Sequence, residues 1–174
     1  MRLTAMSLLL LASAALGSSD ARGSLERGDK ALEKAREANG TKLLRALESA
    51  KPHFKRARAL LAREMEGAPG DVALAKLRDE AGRKLVGILN AETAIYLNRG
   101  ARSLATKRNK EALAILPSDA RAKALKDAIE SEEPYEFDAK MVSALLGGQG
   151  SQGGAQAFGA DGRFLGRRTP PARP

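Results

Sequence analysis

Residues 41–66 read TKLLRALESAKPHFKRARALLAREME. After the Leu43-Leu44 pair, the apolar residues Leu47, Ala50, Phe54, Ala57, Leu61 and Met65 recur every three or four positions. That spacing sets them on one face of an α-helix. Lys42, Arg45, Glu48, Lys55, Arg56, Arg58 and Arg63 occupy the opposite face. A long helix with one apolar stripe buries that stripe against other helices, and the rest of the fold is read outward from here. Pro52 lies inside the run, so a kink or break is expected near Ala50–Lys51.

Upstream, Ser24 to Ala38 reads as a helix capped by Ser24, with Leu25, Gly28, Ala31, Leu32 and Ala35 along one face. Asn39-Gly40 is a stop signal, with Gly suited to the left-handed position after a helix. Downstream, Gly67-Ala68-Pro69-Gly70 closes the quoted segment and Asp71 is a strong N-cap. Val72, Leu74, Leu77, Ala81, Leu85, Ile88, Ile95 and Tyr96 mark the buried side of the next helix, which can run past the weak point at Gly100 to Thr106. Gly82 and Gly87 inside it suit close helix contact. Lys107-Arg108-Asn109 reads as a turn, with Asn109 capping a short helix that Pro117 ends. Ser118 or Asp119 caps a last helix through Ile129.

The composition agrees with this pattern. Hydrophobic residues make up 43% and charged residues 29% of the 174, while aromatics are only 3%. A core of Leu, Ala, Ile and Val suits closely packed helices better than a sheet, which favours aromatic and β-branched residues. The fold class is therefore all-α, as antiparallel helical hairpins.

The first residues read as an address. Arg2 is a positive start, Met6 to Leu16 is an apolar run, and Ala15-Leu16-Gly17 fits a small-x-small cleavage site before Ser18. Ser13-Ala14-Ala15 is a second possible site. The run is about 11 residues, short of the ~20 that span a bilayer. The expected division is a signal peptide over residues 1–17, a helical domain over 18–133, and a tail over 134–174 that is rich in Gly, Gln, Pro and basic residues. The expected location is outside the cytoplasm, periplasmic or extracellular. Asp138 to Leu146 reads as one more short helix. The glycine-rich run from Gly147 to Gly154 and the Pro-rich end are too poor in apolar surface to offset their ordering entropy, so the tail is expected to be disordered.

Glu111 to Ala122 reads EALAILPSDARA. It resembles the end of a tetratricopeptide repeat: alanine and leucine on a second helix, a proline at the exit, then an acidic cap. Counting back from Pro117 at the family's spacing, Ala112, Ala105, Tyr96 and Leu89 fall at favoured small, aromatic or bulky positions. Glu92-Thr93 replaces the usual Leu-Gly pair, and Asn109 stands where an aromatic is expected. A second match, through Gly28, Ala31, Phe54, Ala57 and Pro69, has irregular spacing because its second helix is too long. The resemblance covers Ser24 to Glu133. It implies a degenerate helical repeat with a concave groove for a peptide or protein, and no enzyme activity. A plain helical bundle remains the alternative.

Catalytic patterns are sparse. His53 is the one histidine, and a metal site needs several ligands together. Glu130, Glu132, Glu133, Glu136 and Asp138 form an acidic cluster without EF-hand spacing. Ser24, Ser49, Ser103 and Ser118 sit in no nucleophile elbow, and no phosphate-binding glycine loop follows a strand. The absence of cysteine excludes disulfides, thiolate metal sites and a lipid anchor on cysteine. No catalytic residue, metal site or cofactor is expected.

The net charge is +9 and the pI about 10.1; losing Arg2 with the signal leaves +8. Such charge favours anionic partners. Lys51, Lys55, Arg56, Arg58 and Arg63 form one basic stretch, and Arg99, Arg102, Lys107, Arg108 and Lys110 another. Base stacking needs interleaved aromatics, and the only ones nearby, Phe54 and Tyr96, sit on apparent core faces, so nucleic acid is not an expected partner. Arg163, Arg167, Arg168 and Arg173 in the tail are the expected contacts to an anionic partner. Two functions follow: an exported adaptor or scaffold in the bacterial cell envelope that holds a protein partner, or a cationic protein drawn to anionic lipid or polysaccharide. No membrane span is expected in the mature chain.

Overall fold

The computed structural model describes residues 4–131, 134, 135 and 146, with side chains from Ser19 onward. Among the described residues there are five α-helices and no strand: α1 (Thr4–Arg36), α2 (Gly40–Gly67), α3 (Val72–Asn98), α4 (Arg102–Ile115) and α5 (Ala120–Glu130). Connections of three or four residues join them, so each helix turns back on the one before it. Helix α1 packs on α2, α2 on α3, α3 on α4, and α4 on α5, and α5 also returns to α3. The all-α class of antiparallel hairpins is what the periodicity predicts. No helix among the described residues is long and apolar enough to cross a membrane.

Local chemistry sets the helix ends. The Asp71 carboxylate accepts from the backbone N–H groups of Ala73 at 2.8 Å and Leu74 at 3.1 Å, and Asp119 accepts from Ala122 at 2.7 Å. Each satisfies donors that a helix start leaves without partners. Gly40 at φ 60° and Gly100 at φ 70° take the left-handed conformation, which glycine adopts without steric cost. Gly100 thus stops α3 at Asn98, short of the Thr106 end that the apolar pattern allows.

Three expected boundaries are corrected. Pro52 does not break α2, which runs unbroken from Gly40 to Gly67. Proline inside a helix costs about 3 kcal/mol, but Ala50, Phe54, Ala57 and Leu61 around it are fully buried, and each large apolar side chain returns roughly 1.5–3 kcal/mol. Ser24 does not start α1; the helix begins at Thr4, and Ser24 is buried on its inner face. Lys107-Arg108-Asn109 is not a turn but the middle of α4. There the Asn109 side-chain amide donates to the Ala122 carbonyl at 2.7 Å, so a turn-forming residue serves as a buried tie between α4 and α5.

The α1–α2 hairpin is built on the predicted stripe. Leu25, Leu32 and Ala35 share one core with Leu43, Leu47, Ala50, Phe54 and Ala57, and Ala21 and Leu61 are fully buried as well. At Gly28 the Phe54 ring presses its tip onto the helix backbone; a Cβ there would stand 2.6 Å from Cζ. Lys84 of α3 lies 5.9 Å above the same ring. It pairs with Asp29 at 2.8 Å and Glu80 at 2.7 Å, so three helices meet at one aromatic side chain. Burial opposes the charge on Lys84, but its bonds to Asp29 and Glu80 outweigh that and hold its pKa above the ordinary lysine value.

Helix α3 changes character along its length. As far as Glu80 its residues are exposed or half-buried, and Val72 is 63% accessible. From Ile88 to Leu97 every side chain is buried, and Lys51 of α2, Arg108 of α4 and Asp119 at the start of α5 all reach this half. Tyr135 lies against the core and Leu146 is buried within it. Burial pushes the Tyr135 phenol up to about 12.

Candidate functional site

The buried half of α3 carries charge as well as apolar groups. Glu92 is fully buried. Lys51 of α2 donates to its two oxygens at 2.7 and 2.9 Å. Arg108 of α4 brings Nε within 2.8 Å of Glu92 Oε2, with the N–H off the line, so that contact is Coulombic rather than a hydrogen bond. Arg108 Nη1 also donates to Glu111 at 2.9 Å, and Lys55 stands 3.7 Å from Glu111. One carboxylate on α3 is thus read by cations from the helices on both sides. Around it, the Asn90 amide donates to Asp119 at 2.9 Å and the Thr93 hydroxyl to the Leu89 carbonyl at 2.7 Å. These charges neutralise one another inside the protein. They form an interior lock between α2, α3 and α4.

A different arrangement lies between α2, the exposed half of α3 and the end of α4. Arg58, Arg78, Asp79, Gly82, Arg83, Ile115 and Leu116 line a cavity of about 230 Å³. The α3 residues fall on one helix face, which places Arg78 and Arg83 beside Arg58 of α2. Gly82 supplies the space: a Cβ there would stand 3.6 Å from Arg58 Nε and 3.8 Å from Ile115 Cγ2. None of the three guanidinium groups forms an ion pair with a described carboxylate, Asp79 included. Arg78 has a 3.7 Å contact to the Met65 sulfur. The Nε of Arg58 is buried without a hydrogen-bond acceptor. A buried donor with no acceptor is uncommon in folded proteins and calls for an explanation.

The structure splits the two basic stretches seen in the sequence. From the first, Lys51 turns to the buried Glu92, exposed Lys55 to the half-buried Glu111, Arg58 to the cavity, and Arg56 and Arg63 to solvent. From the second, Arg108 joins the interior lock and Arg102 donates to the Ile129 carbonyl at 2.8 Å, while Arg99, Lys107 and Lys110 are exposed. Neither stretch is a continuous cationic surface. The single histidine, His53, is half-buried on α2, and no group of metal-ligating side chains gathers among the described residues. Arg163, Arg167, Arg168 and Arg173 lie outside the described residues, as do Glu132, Glu133, Glu136 and Asp138 of the acidic cluster. The sequence reading missed the cavity. Gly82, read as a position for close contact, was the one usable signal.

No protein family, no curated protein and no solved structure matches the chain.

Proposed function

We propose that the chain is an exported, non-catalytic adaptor of the bacterial cell envelope that holds a partner protein on a stack of antiparallel helical hairpins. The observation that carries this reading is the nearest-neighbour order of the helices, α1 to α5, with α5 returning to α3. Such stacking gives repeat proteins an extended surface that no single hairpin has. The repeat resemblance adds support. Ala105, Asn109 and Ala112 are buried on α4, and Ala50, Phe54 and Ala57 are buried at like spacing on α2. Gly28 leaves room for the aromatic ring of Phe54, which a Cβ there would meet at 2.6 Å.

Export has its own geometric support. Continuing the antiparallel register set by Gly28 and Phe54, Gly67 at the end of α2 falls level with Ala15 of α1. Cleavage before Ser18 therefore leaves a helix that reaches along α2 as far as Glu64, just short of its end at Gly67.

The test is expression of the full chain in a bacterium, N-terminal sequencing of the envelope fraction, and crosslinking in intact cells. A chain that begins at Ser18, with one discrete protein partner retained in high salt, is the expected result. A chain that stays in the cytoplasm with its first residues intact overturns export. The arginine-lined cavity favours a second reading, a cationic protein that sits on anionic lipid or polysaccharide. Salt separates the two, since the Debye length falls from about 10 Å at 0.1 M to about 3 Å at 1 M. Charge-driven binding is lost over that range, while apolar groove binding persists.

A further inference from the structure

We infer that the cavity between Arg58, Arg78 and Arg83 is a binding site for a phosphomonoester group. The inference goes beyond the adaptor reading and does not depend on it.

Elsewhere in the folded core, Lys51 and Arg108 have Glu92 as acidic partner, and Lys84 has Asp29 and Glu80. Arg58 and Arg78, half-buried, and Arg83, exposed, form no ion pair with a described carboxylate, and all three line one space. Holding three like charges together is unfavourable unless an anion joins them.

Charge and size select the anion. Three guanidinium groups and the Asp79 carboxylate leave two positive charges in the lining. A phosphomonoester carries about −1.5 to −2 at neutral pH and three strong acceptor oxygens. It can meet all three planar donor groups, whereas one carboxylate leaves charge uncompensated. The volume of about 230 Å³ exceeds the ~30 Å³ share of one water several-fold, so a phosphoryl group fits with its remaining water. Ile115 and Leu116 form an apolar wall that limits water on one side and strengthens each ionic contact. Gly82 keeps the floor open where a larger side chain would fill it.

The source of the phosphate, a small soluble ester or a lipid headgroup, is separated by experiment. The full chain is titrated with inorganic phosphate and with glycerol phosphate at constant low ionic strength, followed by calorimetry and by ³¹P line width. It is also floated with vesicles of phosphatidic acid in phosphatidylcholine, and with phosphatidylcholine alone. Saturable phosphate binding is expected. Arg58→Gln and Arg83→Gln each weaken it about tenfold or more, as loss of a charge-assisted bond requires. Arg56→Gln and Arg63→Gln, at exposed positions outside the cavity, change it less than twofold on the same scale. Asp79→Asn tightens it. Saturation by free phosphate assigns a soluble ester; binding confined to phosphatidic acid vesicles, still lost in Arg58→Gln and Arg83→Gln, assigns a headgroup. Three results overturn the inference: no saturable binding to either source, equal effects of cavity and control variants, or succinate binding as tightly as phosphate. Arg83 is exposed, so its variant reports on binding even if Arg58→Gln disturbs the fold.

Discussion

Gly28→Ala should destabilise the protein even though it improves the helix. In an exposed helix, alanine gains about 1 kcal/mol over glycine. Here the new Cβ would stand 2.6 Å from Phe54 Cζ and 2.9 Å from both Cε atoms, where carbon contacts favour about 3.5–4.0 Å. The ring must retreat by about 1 Å to restore that distance. Phe54 is fully buried and Lys84 lies over its face, so the retreat strains α2 against α3. Overpacking of this kind costs about 1–3 kcal/mol. Set against the helix gain, the clash leaves a net loss of up to about 2 kcal/mol, or a fall in Tm of up to several degrees. Thermal and urea unfolding followed by circular dichroism measure it. Two controls make the reasoning strict. Gly82→Ala places its Cβ 3.6 Å or more from every neighbour, so the same chemical change should stabilise by up to about 1 kcal/mol. Gly28→Ala made on top of Phe54→Leu meets no ring tip and should also stabilise. If Gly28→Ala has the same sign with and without Phe54, the close contact is not what glycine serves there.

Removing Glu92 by Glu92→Met should cost about 3–5 kcal/mol, because Lys51 and Arg108 lose their shared carboxylate; the triple change Lys51→Met, Glu92→Met, Arg108→Met should recover most of that loss in urea unfolding, and no recovery would mean the lock is more than charge compensation. Burial raises the Glu64 pKa, Arg22 opposes this and Asp20 adds to it, and both carboxylate oxygens lack hydrogen-bond partners. The native state therefore binds this proton more tightly than the unfolded chain, so Glu64 lowers stability as pH rises through the carboxylate range. Glu64→Gln should flatten that fall and leave acid stability unchanged, and equal pH profiles for the two proteins would refute the assignment. Tyr135, at about 12, should ionise later than a free phenol in ultraviolet titration. It costs the native state stability above its ordinary value of 10.0, and Tyr135→Phe should remove that alkaline loss.

Much of the fold was legible because it rests on local rules. The stripe from Leu43 to Leu61, the caps Asp71 and Asp119, and the left-handed glycines Gly40 and Gly100 act within a turn or two of themselves. The errors have the opposite character. Asn109 favours turns locally, but its partner is the carbonyl of Ala122 on the next helix. Pro52 breaks helices locally, but its neighbours on α2 are fully buried. The cavity was not legible for the same reason. Arg58 resembles Arg56 and Lys55 in sequence, and only the pairing of α2 with α3 brings it to Arg78 and Arg83. Glu92 was noted as a departure from a repeat pattern, and the structure gives it Lys51 and Arg108.

The order in which helices pack has a kinetic consequence. Each helix docks on its immediate predecessor across a connection of three or four residues, so little loop-closure entropy opposes any step. Low contact order of this kind goes with folding in microseconds to milliseconds, about a thousandfold faster than all-β folds of similar size. A chain that emerges N-terminus first meets its partners in the same order: α2 finds α1 already present, α3 finds α2, and α5 arrives last, when both α3 and α4 are in place. The stretch awaiting a partner at any moment is about one helix long, which limits the apolar surface open to aggregation during synthesis.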